Sequence, residues 1–83
     1  MLQIKLFAYL QEMLAADEIS VAVTEQTLTA AKIKQLIEQF YPKIASYLPN
    51  TRLAVDQVFI NDDQTIDLTE KHEFALIPPV SGG

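Results

Sequence analysis

Two adjacent glycines, Gly82 and Gly83, follow the run Pro78-Pro79-Val80-Ser81 at the end of the sequence. Glycine loses more conformational freedom on ordering than any other residue, so a terminal pair adds little to a folded domain. A chain end without Cβ atoms can, however, enter a channel little wider than the backbone. The reactive group it would deliver is the α-carboxylate of Gly83. We therefore expect Gly83 to be the reacting residue.

An ionised carboxylate is a poor electrophile, so Gly83 must first be activated, for example as an acyl-adenylate. The sequence has no glycine-rich phosphate loop, and we expect ATP to be used by a separate activating enzyme and no cofactor to be bound by this chain. Attack by an amine would give an isopeptide, as in a protein modifier, and attack by sulfur would give a thiocarboxylate, as in a sulfur carrier. The residues alone leave both outcomes open, together with an inert tail.

The two prolines predict how the end of the chain is presented. Proline fixes φ and donates no backbone hydrogen bond, so Pro78 and Pro79 are expected to end the last strand. Residues 78–83, which we call the tail, are then predicted to continue as an extended rod reaching about 20 Å. Pro78, Pro79, Val80, Ser81 and Gly82 would insert into a partner and carry Gly83 to its site.

Side-chain chemistry is sparse elsewhere. The sequence contains no cysteine and one histidine, His72, which we predict to be a solvated loop residue. It has no His or Cys companions for a metal site. Asp62, Asp63 and Asp67 do not match the spacing of a calcium loop and are interpreted as turn residues. The sequence therefore predicts no metal and no active site built from side chains.

Composition limits the partners and the location. Eighty-three residues make one domain, and the net charge of −5 with scattered cations argues against nucleic acid. No apolar run is long enough to span a membrane. The first residues alternate in polarity and lack the apolar block of a signal peptide, so we expect a cytoplasmic protein.

Hydrophobic periodicity predicts the elements that hold the tail. Alternation predicts strands in segments 2–7, 19–23, 53–55, 58–60 and 74–77, with a tight hairpin at Asp56-Gln57. Helix formers predict a short helix over 9–16, and 24–27 is interpreted as a loop. A longer helix is expected from Thr27 or Thr29 to Tyr41, with one apolar face made of Ile33, Leu36, Ile37 and Phe40.

A single long amphipathic helix must bury its apolar face on one side of a sheet. We therefore predict an α+β domain over residues 1–77, in which this helix packs across a mixed sheet, followed by the extended tail 78–83. The order of elements together with the tail resembles the ubiquitin-like β-grasp fold.

Three large apolar residues fall out of phase with this core. If Leu2, Ile4 and Leu6 face the helix, Phe7 faces away. By the same alternation Phe59 points outward when Val58 and Ile60 point inward, and Ile77 points outward when Phe74 and Leu76 belong to the core. An exposed apolar patch marks an interaction site. We predict that Phe7, Phe59 and Ile77 form a partner interface.

Three segments carry a family resemblance. They are Leu6-Phe7-Ala8 with Gln11-Glu12 after it, Leu53-Ala54-Val55-Asp56, and the run from Phe74 through Pro78-Pro79-Val80-Ser81-Gly82-Gly83. Together they are similar to the small subunit of molybdopterin synthase over nearly the whole chain. Where that family commonly has Arg, Asn and Gly-Asp, this sequence has Gln11, Asp56 and Lys71-His72, which leaves partner selectivity open.

The resemblance implies a sulfur carrier that is not catalytic by itself. In that reading an E1-like enzyme adenylates Gly83 with ATP, and a sulfurtransferase converts it to the thiocarboxylate, a 1-thioglycine. The tail enters the large subunit and gives its sulfur to cyclic pyranopterin monophosphate in molybdenum cofactor biosynthesis. The implied assembly is a heterotetramer of two large and two small subunits. In it, the large subunit contacts Phe7, Phe59 and Ile77 of the small subunit. The alternatives are a ubiquitin-like modifier and a sulfur carrier of another pathway, of the thiamin or tRNA thiolation type.

Overall fold

The computed structural model describes residues 1–79. Within them the elements, in chain order, are β1 (Leu2–Leu6), α1 (Tyr9–Leu14), β2 (Glu18–Val21), β3 (Thr27–Thr29), α2 (Ala30–Phe40), a 3₁₀ helix (Pro42–Asn50), β4 (Arg52–Val55), β5 (Val58–Phe59), β6 (Thr65–Asp67) and β7 (Phe74–Ile77).

Five of the strands form one mixed sheet in the order β2-β1-β7-β4-β5. The first and last strands, β1 and β7, lie side by side and run parallel, whereas the other three neighbouring pairs are antiparallel. Strands β3 and β6 pair separately in a two-stranded sheet. The strand that leads into the tail therefore occupies the centre of the main sheet.

Helix α2 packs across one face of this sheet, as predicted. It begins after Thr29, whose side-chain oxygen accepts a hydrogen bond from the backbone N–H of Lys32 at 3.2 Å. It ends at Phe40, two residues before Pro42. Ile33 and Ile37 are completely buried. They share one hydrophobic core with inward-facing residues of the central strands, among them Ile4, Leu6, Leu53 and Leu76.

One member of the predicted helix face is placed differently. The side chain of Phe40 is 53% exposed, so its assignment to the core was wrong. Phe40 is the last residue of α2, and the chain continues directly into the 3₁₀ helix, which had no predicted structure. Ile44 and Leu48 of that helix are buried in the core instead. The apolar face of the helix is thus completed by the segment that follows it.

A second difference concerns the start of α2. Residues 27–29, treated as the end of a loop or as caps, form β3 and pair with β6 through Thr27–Asp67, Leu28–Ile66 and Thr29–Thr65. Leu28 and Ile66 are buried. Each strand has three residues of which only one is apolar, so alternation is not visible in the sequence. The predicted α+β architecture, a mixed sheet crossed by one amphipathic helix, is otherwise confirmed.

Candidate functional site

Strand β7 delivers the root of the tail. Phe74 and Leu76 are buried, Ile77 is half-buried, Pro78 is buried and Pro79 is exposed. Because β7 is hydrogen-bonded to β1 on one side and β4 on the other, the chain leaves from the middle of the sheet. The other tail residues named from the sequence, Val80, Ser81, Gly82 and Gly83, lie outside the described residues.

The register of the sheet defines a surface on the side opposite α2. Ala75 pairs with Lys5 on β1 and with Ala54 on β4, and Ala54 pairs in turn with Phe59 on β5. Side chains of directly paired residues point to the same face, so these four form one row across the sheet. Two residues further along β7, Ile77 pairs with Arg52 and starts a second row on that face.

We call this surface the outer face and define it by Phe7, Arg52, Phe59 and Ile77 around a floor of Ala54 and Ala75. The two alanines are covered, with 3% and 9% exposure, whereas Phe7 and Phe59 keep 44% and 46% of their surface in solvent. Phe7 and Ile77 each follow directly after the paired residues Leu6 and Leu76, so both lie at the end of the sheet where the tail begins. The structure thus brings the three predicted interface residues to one face.

Arg52, a cation of the outer face, was not predicted from the sequence to be a site residue. The guanidinium carbon of Arg52 lies 4.2 Å from the centroid of the Phe59 ring. Within residues 1–79, no carboxylate forms an ion pair with this side chain. Stacking on an aromatic ring holds the guanidinium plane in place, with its donors available to a carboxylate. Alternation from the outward-facing Ala54 was the signal that could have identified Arg52.

Val58 was expected to point inward, and this prediction needs correction. Its partner across the hairpin is Val55, an inward-facing residue, so Val58 does belong to the core side of the sheet. Nevertheless its side chain is 62% exposed. Strand β5 is a two-residue edge strand, and among the described residues nothing packs over that position. Alternation therefore gave the correct side of the sheet but not burial.

The corner between β1 and α1 sets the direction of Phe7. Ala8 has φ 55° and ψ −135°, a conformation that is costly for a residue with a Cβ atom. The side-chain amide of Gln11 donates to the backbone oxygen of Leu6 at 2.7 Å and so satisfies the end of β1. The chain turns sharply here, directly after Phe7.

The hairpin between β4 and β5 is as tight as predicted, with only Asp56 and Gln57 in its loop. Both have positive φ, 54° and 69°, as a twist-matched two-residue turn requires. The backbone N–H of Asp56 donates to the backbone oxygen of Glu73 at 2.8 Å, and the N–H of Glu73 donates to Asp56 Oδ1 at 2.9 Å. The loop before β7 thereby holds the hairpin at its turn.

The prediction of a solvated His72 was wrong. Only 17% of its side chain is exposed, and both ring nitrogens are within hydrogen-bond distance of oxygen atoms. Nδ1 lies 2.6 Å from Asp56 Oδ2, and Nε2 lies 2.9 Å from the backbone oxygen of Asp67. The ring also packs edge-on against Phe74, with centroids 6.1 Å apart. Two positions at which the sequence departs from the family pattern, Asp56 and His72, are therefore in direct contact.

This contact shifts the titration of both groups. The hydrogen bond with Asp56, aided by the charge of that carboxylate, raises the pKa of His72 above its ordinary 6.5 against the opposing effect of burial. The Glu73 N–H, followed by His72, holds the pKa of Asp56 below its ordinary 3.8. Between pH 3.8 and 6.5, Asp56 is ionised and His72 is protonated, so the two side chains form an ion pair.

Two of the three acidic residues considered as cation ligands, Asp62 and Asp67, have other partners. Asp67 accepts hydrogen bonds from the backbone and hydroxyl of Thr69, at 2.9 and 2.5 Å, which lowers its pKa. Asp62 lies 3.2 Å from Lys34 Nζ. Across residues 1–79, His, Asp and Glu side chains nowhere gather in a group of three suited to a metal ion. No helix of this part of the chain has the length and apolar character needed to cross a membrane.

Comparison with known proteins connects this arrangement to a family. The chain is 37% identical over 81 residues to the molybdopterin synthase sulfur carrier subunit of Dictyostelium discoideum, covering 98% of this chain and 94% of that protein. The structure superposes on SAMP1 from Haloferax volcanii with a TM-score of 0.80 at 22% identity, over 98% of this chain and 97% of that one. It also superposes on a putative molybdopterin converting factor, subunit 1, from Pyrococcus furiosus, with a TM-score of 0.74 at 17% identity, over 94% and 95%. These two likenesses show a ubiquitin-like β-grasp fold. The ThiS family model matches residues 4–83, and the chain therefore belongs to the ThiS family.

Proposed function

We propose that this chain is the sulfur carrier subunit of molybdopterin synthase. The observation that carries the proposal is the match to a curated sulfur carrier subunit of that enzyme over 98% of the chain. The outer face beside the root of the tail supports it, because a carrier needs a docking surface next to the group that it delivers.

The working group in this proposal is the carboxylate of Gly83. An E1-like enzyme uses ATP to form the acyl-adenylate and releases pyrophosphate. A persulfide on the sulfurtransferase attacks the adenylate and displaces AMP, and a thiol then reduces the resulting acyl disulfide to leave the thiocarboxylate, a 1-thioglycine. The tail that bears the thiocarboxylate then enters the large subunit, where its sulfur attacks cyclic pyranopterin monophosphate and displaces an oxygen substituent. Water hydrolyses the resulting thioester, which leaves the sulfur on the pterin and returns Gly83 to a carboxylate. The positioning of the two reactants by the partner supplies the rate enhancement.

In this role the chain is the non-catalytic subunit, and we propose a cytoplasmic heterotetramer of two large and two small subunits. The outer face, with Phe7, Phe59 and Ile77, would contact the large subunit while Pro78, Pro79, Val80, Ser81 and Gly82 pass into its active site. Arg52, held over Phe59, would meet a carboxylate of the partner.

Mass spectrometry tests the chemistry directly. The chain is incubated with its activating enzyme, ATP, a sulfurtransferase and a sulfur donor, and the intact mass and the C-terminal peptide are measured. We expect the increase that replacement of one oxygen by sulfur requires, located at Gly83. A matched chain with one extra residue after Gly83 should show no increase.

The same mixture separates the alternatives. Covalent adducts with target lysines, formed without a thiocarboxylate, would contradict the sulfur-carrier proposal in favour of a modifier. Addition of the large subunit and cyclic pyranopterin monophosphate should convert the thiocarboxylate back to the carboxylate. A thiocarboxylate that persists under these conditions, but is consumed by a thiamin or tRNA thiolation system, would place the carrier in another pathway.

A further inference from the structure

The two ring nitrogens of His72 both face atoms that can only accept hydrogen bonds. Nδ1 is 2.6 Å from the carboxylate of Asp56, and Nε2 is 2.9 Å from the backbone oxygen of Asp67. A neutral imidazole carries one N–H and one lone pair, so either tautomer would direct a lone pair at an oxygen. An imidazolium donates from both nitrogens and satisfies both oxygens. The geometry therefore selects the charged ring.

The contacts of this ring join three separate parts of the fold. Asp56 belongs to the β4–β5 hairpin, the Asp67 carbonyl ends β6, and His72 itself lies in the loop before β7. We call this arrangement of His72, the Asp56 carboxylate and the Asp67 carbonyl the histidine clamp. It holds a turn whose two residues both have left-handed φ angles, which are unfavourable outside glycine.

The hairpin held in this way carries part of the outer face. Strand β5 is attached to the sheet by the pairs Ala54–Phe59 and Val55–Val58 and by the N–H of Ile60, which donates to the oxygen of Leu53 at 3.1 Å. So short an edge strand depends on its turn for position.

We propose that His72, as an imidazolium, is a positioning residue that fixes the β4–β5 hairpin and thereby the placement of Phe59 for partner binding. The identity of the partner in this inference rests on the proposed function, whereas the charged state of the ring is independent of that function.

The surrounding charges set the direction of the pH dependence. Asp56, Asp67 and Glu70 act on the ring from three segments, and Met1 and Lys71 line the surface pocket that His72 also lines. On the neighbouring β1, Lys5 is paired with Glu73 at 3.6 Å.

The raised pKa of His72 means that its stabilising contribution is complete below pH 6.5 and is lost as the pH rises through the folded-state value. The pKa of Asp56 is lowered, so the stabilising contribution of its carboxylate is lost only in the acid range, as the pH falls below 3.8 through the folded-state value.

Nuclear magnetic resonance of the ring nitrogens in the full chain tests the clamp by itself. We expect both nitrogens to be protonated at pH 6, a midpoint above 6.5, and a lower midpoint in Asp56→Asn. A midpoint at or below 6.5, or one unchanged by Asp56→Asn, would overturn the clamp.

Binding to the molybdopterin synthase large subunit of the same organism tests the positioning role. We expect Kd to rise by about twofold to fivefold as the pH passes upward through the measured His72 midpoint, the range for an ion pair at a protein surface, because the Asp56 side of the pair is 54% exposed. His72→Gln keeps a donor that does not titrate and should abolish this dependence; Lys71→Gln removes a neighbouring charge and should preserve it.

An affinity that is constant while the ring titrates would overturn the positioning role. An equal pH dependence in His72→Gln would also overturn it. Absence of binding at every pH would contradict the proposed function and with it the identity of the partner, while the ring titration still decides the clamp.

Discussion

Four residues with side chains occupy left-handed or related backbone conformations within residues 1–79. They are Ala8, Ala15, Asp56 and Gln57. Ala8 follows the exposed Phe7, Ala15 ends α1, and the other two make the hairpin that presents Phe59. Three of these four conformations therefore lie where the chain turns next to Phe7 or Phe59 of the outer face. The sequence offered no sign of the positive φ angles at Ala8 and Ala15, whereas the tight hairpin predicted at Asp56-Gln57 implies them there.

Replacing one of these residues by glycine should stabilise the domain. Gln57 is exposed and has φ 69°, so Gln57→Gly removes the Cβ penalty without loss of packing. We expect the free energy of unfolding in urea to increase by about 0.5–1 kcal/mol. Gln35→Gly, on the exposed side of α2, should lower it by a similar amount of about 0.5–1 kcal/mol. If Gln57→Gly instead lowers the free energy of unfolding, the Gln57 side chain stabilises the domain in a way that glycine cannot replace.

The sequence could not reveal the partners of individual polar residues. His72 reaches an Asp56 carboxylate 16 residues away and an Asp67 carbonyl five residues away. Its immediate sequence neighbours are charged, which is why a solvated loop residue was predicted. The His72 ring is enclosed only because the β4–β5 hairpin contacts the loop before β7. Residue type and local pattern indicate what a side chain can do, whereas distant segments decide what it contacts.

At the scale of elements, the clarity of the apolar pattern decided what could be predicted. Segments of four or more residues with clear alternation, such as β1 and β7, were predicted as strands and confirmed. The three-residue strands β3 and β6 each contain a single apolar residue and show no alternation, so they were not predicted as elements. The nine-residue 3₁₀ helix was not predicted either, because its apolar segment from Ile44 to Leu48 is short and lies between Pro42 and Pro49. The β4–β5 hairpin was predicted correctly because two polar residues separate its apolar runs.

The beginning of α2 provides a test at this scale. Thr29 accepts a hydrogen bond from the backbone N–H of Lys32, which otherwise has no intrahelical partner. Thr29→Ala should lower the free energy of unfolding by about 1 kcal/mol. Thr29→Ser keeps the hydroxyl and should restore most of the difference. If the alanine and serine variants prove equally stable, the loss does not come from the cap.

At the scale of the whole molecule, the two faces of the main sheet have different tasks. The inner face and α2 bury the apolar residues that stabilise the domain, and the outer face exposes Phe7 and Phe59 beside the root of the tail. A substitution on the outer face should therefore change binding and leave folding unaffected.

Phe59→Asp should weaken binding to the large subunit by at least about 30-fold in Kd, since removal of a central aromatic anchor costs about 2 kcal/mol or more. The thermal unfolding midpoint should change little, because 46% of the ring is already exposed. Phe40→Asp is the matched control: Phe40 is 53% exposed at the end of α2, away from the outer face, and its substitution should leave Kd unchanged. Equal effects of the two variants would show that the outer face is not the docking surface.

The central place of β7 has a mechanical consequence. A tail withdrawn from a narrow site transmits its load lengthwise along β7, which is hydrogen-bonded on both flanks by β1 and β4. Such a load acts on all of these bonds together in shear, because β7 is not an edge strand from which the bonds could be broken one at a time. A protein that is repeatedly pulled by its end resists unravelling best when that end is rooted in the middle of its sheet.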